Sequence, residues 1–296
     1  MLKQAYPQLD IQIETMKTIG DKIQDKAMDK IGDKGLFTKE LETALADNMI
    51  DLVVHSLKDM PTQLPPNMQL ACITKREDPR DCLIMKANHK YQRIQDLPAG
   101  SVIGTGSVRR VAQLQRLYPH LRFEGVRGNL GTRLAKLDAQ DSQYDALILA
   151  VAGIKRVQME DRITQILDDV FYAVGQGALG VEARCGDEEI LQLISCLNEP
   201  KARTTCLAER ELMRVLEGGC SVPIGVRSEW THESQLHLHA IVVSPDGKQA
   251  VEAYGNADIG DLSNTDATDE KARNLGLHVA QLMREKGVDE ILKNIH

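Results

Sequence analysis

Ser101-Val-Ile-Gly-Thr-Gly-Ser-Val-Arg-Arg110 is the stretch that decides the fold. Ser101 to Ile103 read as a strand, Gly104-Thr-Gly106 as a turn, and Ser107 onward as a helix. The same order recurs downstream. Leu121 to Glu124 read as a strand and Leu130 to Ala139 as a helix. Asp145 to Val151 form a near-continuous apolar strand of the kind buried in parallel sheets. Strands alternating with helices predict α/β layers with parallel sheets.

Upstream, Leu9, Ile11 and Ile13 alternate with polar residues, which predicts a strand. Phe37, Leu41 and Leu45 have helical spacing within 37–49. Asp51 to Leu57 is a β-rich run closed by Met60-Pro61, and short strands are expected at Met68 to Thr74 and Cys82 to Met85. After about residue 200 the pattern changes to a helix over Ala202 to Leu216. A strand follows over Leu236 to Val243, then a hairpin signal at Pro245-Asp-Gly247. A return strand over Ala250 to Tyr254 and a closing helix over Ala272 to Lys286 complete a small α+β unit.

The chain has 296 residues, 42% hydrophobic and 27% charged, which is an ordinary globular composition of about two or three domains. Its longest apolar run, Ala146 to Ile154, is far short of the ~20 residues of a membrane-spanning helix. No apolar secretion-signal segment is visible at the N-terminus. The six Cys include no CxxC pair, so reduced cytoplasmic thiols are the expectation.

A net charge of −7 argues against a nucleic-acid partner. Yet residues 100–160 carry nine Lys or Arg against five Asp or Glu, and seven of the nine are Arg. Such a stretch is either a solvated helix face or a set of guanidinium forks for a small anion. Residues 20–35 repeat Asp-Lys at 21–22, 25–26, 29–30 and 33–34, which reads as a charged lid or a surface helix.

Three segments point to chemistry. In Gly104 to Arg110 a strand feeds a Gly turn and a helix start, where free N–H groups collect. Arg109 and Arg110 lie in that first turn, a poor place for a cation unless an anion is held there. Val126 to Arg133 repeats the arrangement with Arg127 and Arg133. Lys58-Asp59-Met60-Pro61 ends a strand, where Asp59 is either a turn residue or a site carboxylate. Cys220 sits in Glu217-Gly-Gly-Cys-Ser-Val-Pro, a Gly-flexed loop that favours an accessible thiol. His55-Ser56 is no nucleophile–base pair, because strand neighbours face opposite ways. His237 and His239 share a strand face but have no third metal ligand nearby in sequence, so no metal is expected.

These segments, in order along most of the chain, resemble the hydroxymethylbilane synthase (porphobilinogen deaminase) family. They are Gly32 to Glu42, His55 to Pro61, Arg76 to Asp81, Gly104 to Arg110, Arg127 to Arg133, Ala150 to Arg156, Ala173 to Ala178 and Leu216 to Gly225. The resemblance implies an α/β fold: two periplasmic-binding-protein-like lobes with doubly wound sheets, plus a small α+β C-terminal domain. The divisions expected are 1–75 with 176–198, then 76–175, then 199–296.

The resemblance further implies a transferase. It adds four porphobilinogen molecules to a dipyrromethane cofactor held by Cys220 and releases ammonia and linear hydroxymethylbilane. Each substrate loses ammonia to an azafulvene cation, which the primer's pyrrole α-carbon attacks. Asp59 matches the catalytic carboxylate. Lys58, Ser107, Arg109, Arg110, Arg127, Gly128 and Arg133 match cofactor contacts. Arg156, Gln176, Phe37 and Lys34 match substrate contacts, with Lys30 also in the lid. The acetate and propionate groups of the substrate account for an Arg cluster in an acidic protein. A cytoplasmic monomer without nucleic-acid or membrane partners is implied.

Gly106 stands where the family more usually has Ser. The family's opening strand and its Arg-x-Ser segment have no counterpart in this sequence. An unpaired seam in the first sheet is therefore expected. The alternative is a non-catalytic two-lobed binder of a small carboxylate, which needs neither Cys220 nor the C-terminal residues.

Overall fold

The computed structural model describes residues 1–16, 38–216 and 222–295. After a short helix α1 (Leu2–Ala5), α2 (Lys39–Ala46) leads into β1 (Val53–Ser56). β1, β2 (Met68–Ile73) and β8 (Leu179–Arg184) form the first sheet in the order β1-β8-β2. All its pairings are antiparallel. One face packs Cys72, Val181 and Ala183 on Ile194 of α6 (Glu188–Ile194). The other packs Leu57, Met60 and Ile73 on Ala202 and Cys206 of the long helix α7 (Pro200–Val215).

The second sheet has the order β5-β4-β6-β3-β7. It is built from β3 (Asp81–Met85), β4 (Val102–Gly104), β5 (Arg122–Glu124), β6 (Ala146–Ala150) and β7 (Gln165–Leu167). β6 is buried on both faces, and its side chains alternate between two cores as a strand period of two requires. Ala146 and Ile148 join Leu83 and Met85 on one face. Leu147 and Leu149 join Cys82 and Ile84 on the other. α3 (Val108–Leu117) covers the first face through Leu114. α4 (Leu130–Asp138) and α5 (Val151–Arg156) cover the second through Leu134, Leu137 and Ile154. This is a doubly wound α/β layer.

The third sheet, β11-β10-β9, joins β9 (Ile224–Trp230), β10 (Gln235–Val243) and β11 (Ala250–Asp258). Leu236, Leu238, Ala240 and Val242 of β10 face a core shared with α7 and α8 (Thr265–Glu285), and α9 (Val288–Lys293) closes it. Gly247 takes φ +74° in the hairpin turn. The chain is therefore α/β with a C-terminal α+β unit.

Two expectations change. The segment holding Leu9, Ile11 and Ile13 forms no strand: Ile13 is 84% exposed, and no ladder partner lies beside it among the described residues. Alternation predicts a strand only where a neighbour supplies the ladder. Parallel pairing is confined to β4 with β5 and β6, while β3 runs antiparallel to both β6 and β7. The reason is topological, because the crossover from the first sheet brings β3 in from the opposite end. β1 pairs with β8 on one side only among the described residues, and Val54 is 55% exposed there.

One cluster ties the three sheets together. Arg76, on the β2–β3 crossover, donates to the Gln176 carbonyl at 2.9 Å and to both oxygens of Glu209 at 2.7 and 3.0 Å. Glu209, from α7, also accepts from the Gly175 N–H at 2.8 Å and the Ser228 hydroxyl at 2.8 Å. Both crossover segments and the third sheet thus meet on one fully buried carboxylate.

Candidate active site

β4 ends at Gly104, where an added Cβ would lie 2.5 Å from Leu147 Cδ2, so the turn packs flush on β6. Ser107 caps α3, its hydroxyl accepting from the Arg110 N–H. The helix start carries Arg109 and Arg110 inward, at 4% and 5% exposure. Both meet Asp81 at the start of β3. Arg109 donates to Oδ2 at 2.8 Å and Arg110 to Oδ1 at 2.7 Å. Arg109 also donates to the Phe171 carbonyl, and Arg110 to the Ile148 carbonyl at 2.8 Å. Gln176 completes the clasp, its Nε2 donating to Asp81 Oδ1 at 2.8 Å and to the Pro79 carbonyl at 2.6 Å. Burial alone would raise the Asp81 carboxyl, but the two guanidiniums hold it well below the ordinary carboxylate range.

The second turn is built the same way. Gly128 takes φ +108°, a conformation that favours glycine, and an added Cβ would lie 2.6 Å from Thr132. Asn129 caps α4, accepting from the Thr132 N–H at 2.8 Å. Arg133 Nε donates back to the Gly128 carbonyl at 2.7 Å, which sets the direction of its fork. Burial lowers the Arg133 pKa, and the fields of Arg110 and Arg127 push it further down while Asp59 opposes them.

Lys58 and Asp59 occupy a 3-10 turn, Leu57–Asp59, directly after β1. Burial lowers the Lys58 pKa, Asp59 and Asp81 oppose the shift, and Arg110 and Arg109 add to it. Lys58 thus feels Asp59, Asp81, Arg109 and Arg110, and Arg133 feels Arg110, Arg127 and Asp59. Arg110 Nε is buried with no hydrogen-bond partner among the described residues.

Arg156 lies at the end of α5, where Nη2 donates to the Gly177 carbonyl at 2.8 Å. Gly177 has φ +90°, and an added Cβ would lie 2.4 Å from the Glu77 carbonyl oxygen. Lys34, Phe37 and Cys220 lie outside the described residues, as does the charged segment 20–35. His239 pairs with Glu252 at 3.2 Å and stacks edge-on against Phe171.

Arg76 and Asp81 lie in a segment that carries the resemblance, but the sequence gives neither a role, and Glu209 is not marked at all. Asp81 opens an apolar strand, where its charge is the local signal. Glu209 is an acidic residue at a buried helix position, which helical periodicity alone does not mark.

Comparison with known proteins adds the family. Residues 1–192 match the model described as "Porphobilinogen deaminase, dipyromethane cofactor binding domain". Residues 203–285 match "Porphobilinogen deaminase, C-terminal domain". A porphobilinogen deaminase of Candida albicans is 46% identical over 100% of this chain and 86% of its own length. One of Nostoc sp. is 49% identical over 99% of this chain and 88% of its own. Among solved structures, a periplasmic sulfonate-binding protein of Methylobacillus flagellatus covers 59% of this chain and 52% of its own, at 17% identity and a TM-score of 0.32. The match over residues 203–285 disfavours the two-lobed binder, which has no use for a C-terminal domain of this kind. No helix among the described residues is long and apolar enough to cross a membrane. With both of its models matched in order and relatives at nearly half identity over almost every residue, the chain belongs to the porphobilinogen deaminase family.

Proposed function

We propose that this chain joins four porphobilinogen molecules on a dipyrromethane primer attached through Cys220, releasing ammonia and linear hydroxymethylbilane. The reading is supported by the two family models matched in order and by Arg109 and Arg110, which converge with Gln176 on Asp81. These residues fit dipyrromethane, because its carboxylates would offer acceptors to guanidinium groups, among them Arg110 Nε, which has no partner among the described residues. When bound, the cofactor supplies the free pyrrole α-carbon at which the product grows.

The residues divide the work by position. Arg127 and Arg133 present forks from the α4 start, and Lys58 supplies a point charge from the opposite sheet. Arg109 and Arg110, locked on Asp81, give a rigid positive floor, and Ser107 and Gly128 shape the two turns that carry these side chains. Arg156 and Gln176, with Lys34 and Phe37, take the incoming substrate. Asp59 is exposed beside the cations. Its carboxylate would stabilise the cation that porphobilinogen becomes on losing ammonia.

The three sheets support a division into 1–75 with 176–198, then 76–175, then 199–296. β1, β2 and β8 fall in the first part, β3 to β7 in the second and β9 to β11 in the third. Free thiols at Cys72, Cys82, Cys185, Cys196 and Cys206 suit a cytoplasmic enzyme. A net charge of −7 suits one that works as a monomer on small anions rather than on nucleic acid.

Asp59→Asn tests the catalytic assignment, since it keeps size and hydrogen bonding but removes the charge. The expected result is retained cofactor and turnover lower by at least ~100-fold. Near-normal turnover makes Asp59 a turn residue only.

A further inference from the structure

Arg210 lies on α7, one turn past Cys206, and is 7% exposed. It forms no ion pair with the described residues. Instead Nη1 donates to the Met60 carbonyl at 3.0 Å, and Nη2 donates to the Pro61 carbonyl. Burial pushes its pKa down to about 10. Removing a guanidinium from water for two neutral carbonyls is a poor exchange in stability alone.

Those carbonyls belong to the two residues that follow Asp59. The turn is held at other points too. Leu57 and Met60 pack on Ala202 and Cys206 of α7. The Leu57 N–H donates to the Ala178 carbonyl at 3.0 Å. Upstream on β1, buried His55 lies 2.8 Å from Glu182 of β8, and the Glu182 carboxylate also sustains the Arg210 charge. One helix therefore grips the Asp59 turn.

We propose that Arg210 is a positioning residue for Asp59: it fixes the turn Leu57–Pro61 on α7 and so holds the carboxylate in place. The proposal rests on the role given above to Asp59. It is distinct from that role, because among the described residues the hydrogen bonds of Arg210 go to backbone carbonyls.

The test uses the full-length holoprotein and compares Arg210→Met, Arg210→Lys, Asp59→Asn and the Asp59→Asn/Arg210→Met pair. kcat, KM and intact mass are measured for each. Arg210→Met is expected to keep the mass adduct and to lower kcat by about 10- to 100-fold with KM changed by no more than about 3-fold. Arg210→Lys, with a smaller donor set, is expected to recover part of the loss. The double variant is expected to be no more than about 3-fold slower than Asp59→Asn, because both changes act through one carboxylate.

An unchanged kcat per loaded molecule in Arg210→Met overturns the proposal, as do losses that multiply in the double variant. If Arg210→Met does not fold, Arg210→Lys carries the test. A kcat lowered at least about 3-fold at constant KM supports the proposal, and an unchanged kcat overturns it. Failure of the Asp59 assignment is read separately, as normal turnover in Asp59→Asn.

Discussion

A single carboxylate, Asp81, receives Arg109, Arg110 and Gln176, each within 2.8 Å. Burial opposes its charge and the guanidiniums restore it, so its pKa falls well below the ordinary aspartate value. A depressed carboxyl stabilises the fold fully above its unfolded pKa, and that contribution is lost as pH falls through the folded one. Asp81→Asn is therefore expected to lower unfolding stability by about 3–5 kcal/mol at pH 7, since two buried cations lose their counter-ion. In urea titrations the gap to the parent should stay level down to about pH 5 and narrow below about pH 4. A gap that widens on acidification contradicts the assignment. The sequence made this pair of arginines legible, because cations at a helix start demand an anion. It did not reveal that part of that anion is Asp81, 28 residues upstream of Arg109. No spacing rule joins an apolar strand's first residue to a helix in another layer.

Short loop-to-helix transitions carry the site, and their chemistry was readable locally. Ser107 and Asn129 are both N-caps, and Gly128 takes the positive φ that its turn requires. Asn129→Ala removes the acceptor for the Thr132 N–H and should cost about 1 kcal/mol. The same change frays the turn that aims Arg133, so the fraction of protein carrying the cofactor should fall. Paired chemical melts and intact-mass measurements check this. Stability and cofactor loading equal to the parent's mean that α4 does not depend on its cap. Elements defined by long-range partners were not readable. The 9–13 stretch has strand spacing and no ladder. Glu209 and Arg210 sit mid-helix, and only tertiary packing reveals that their charges are buried.

At the scale of the whole molecule, three sheets converge on Glu209 and Arg76, while Arg109 and Arg110 meet the crossover residue Gln176 on Asp81. α7 packs against both the first and the third sheet, through Cys206 on one side and Leu207 and Leu212 on the other. The strand–helix alternation of the second sheet and the C-terminal unit followed from periodicity and hairpin signals, but the antiparallel β3 did not. The antiparallel first sheet did not, since pairing direction depends on where a crossover re-enters. Cys72, Cys82 and Cys206 are buried, with burial pushing their thiols up to about 11, about 12 and about 12, so they are poor nucleophiles. Burial therefore disfavours these three as attachment points, while Cys185 and Cys196 are exposed and Cys220 is the attachment point proposed above. The most direct measurement is the intact mass of the purified full-length protein beside its Cys220→Ser variant. A mass excess of two pyrrole units on the parent, absent from Cys220→Ser, is the predicted result. An unmodified parent, or an adduct that survives Cys220→Ser, contradicts the account.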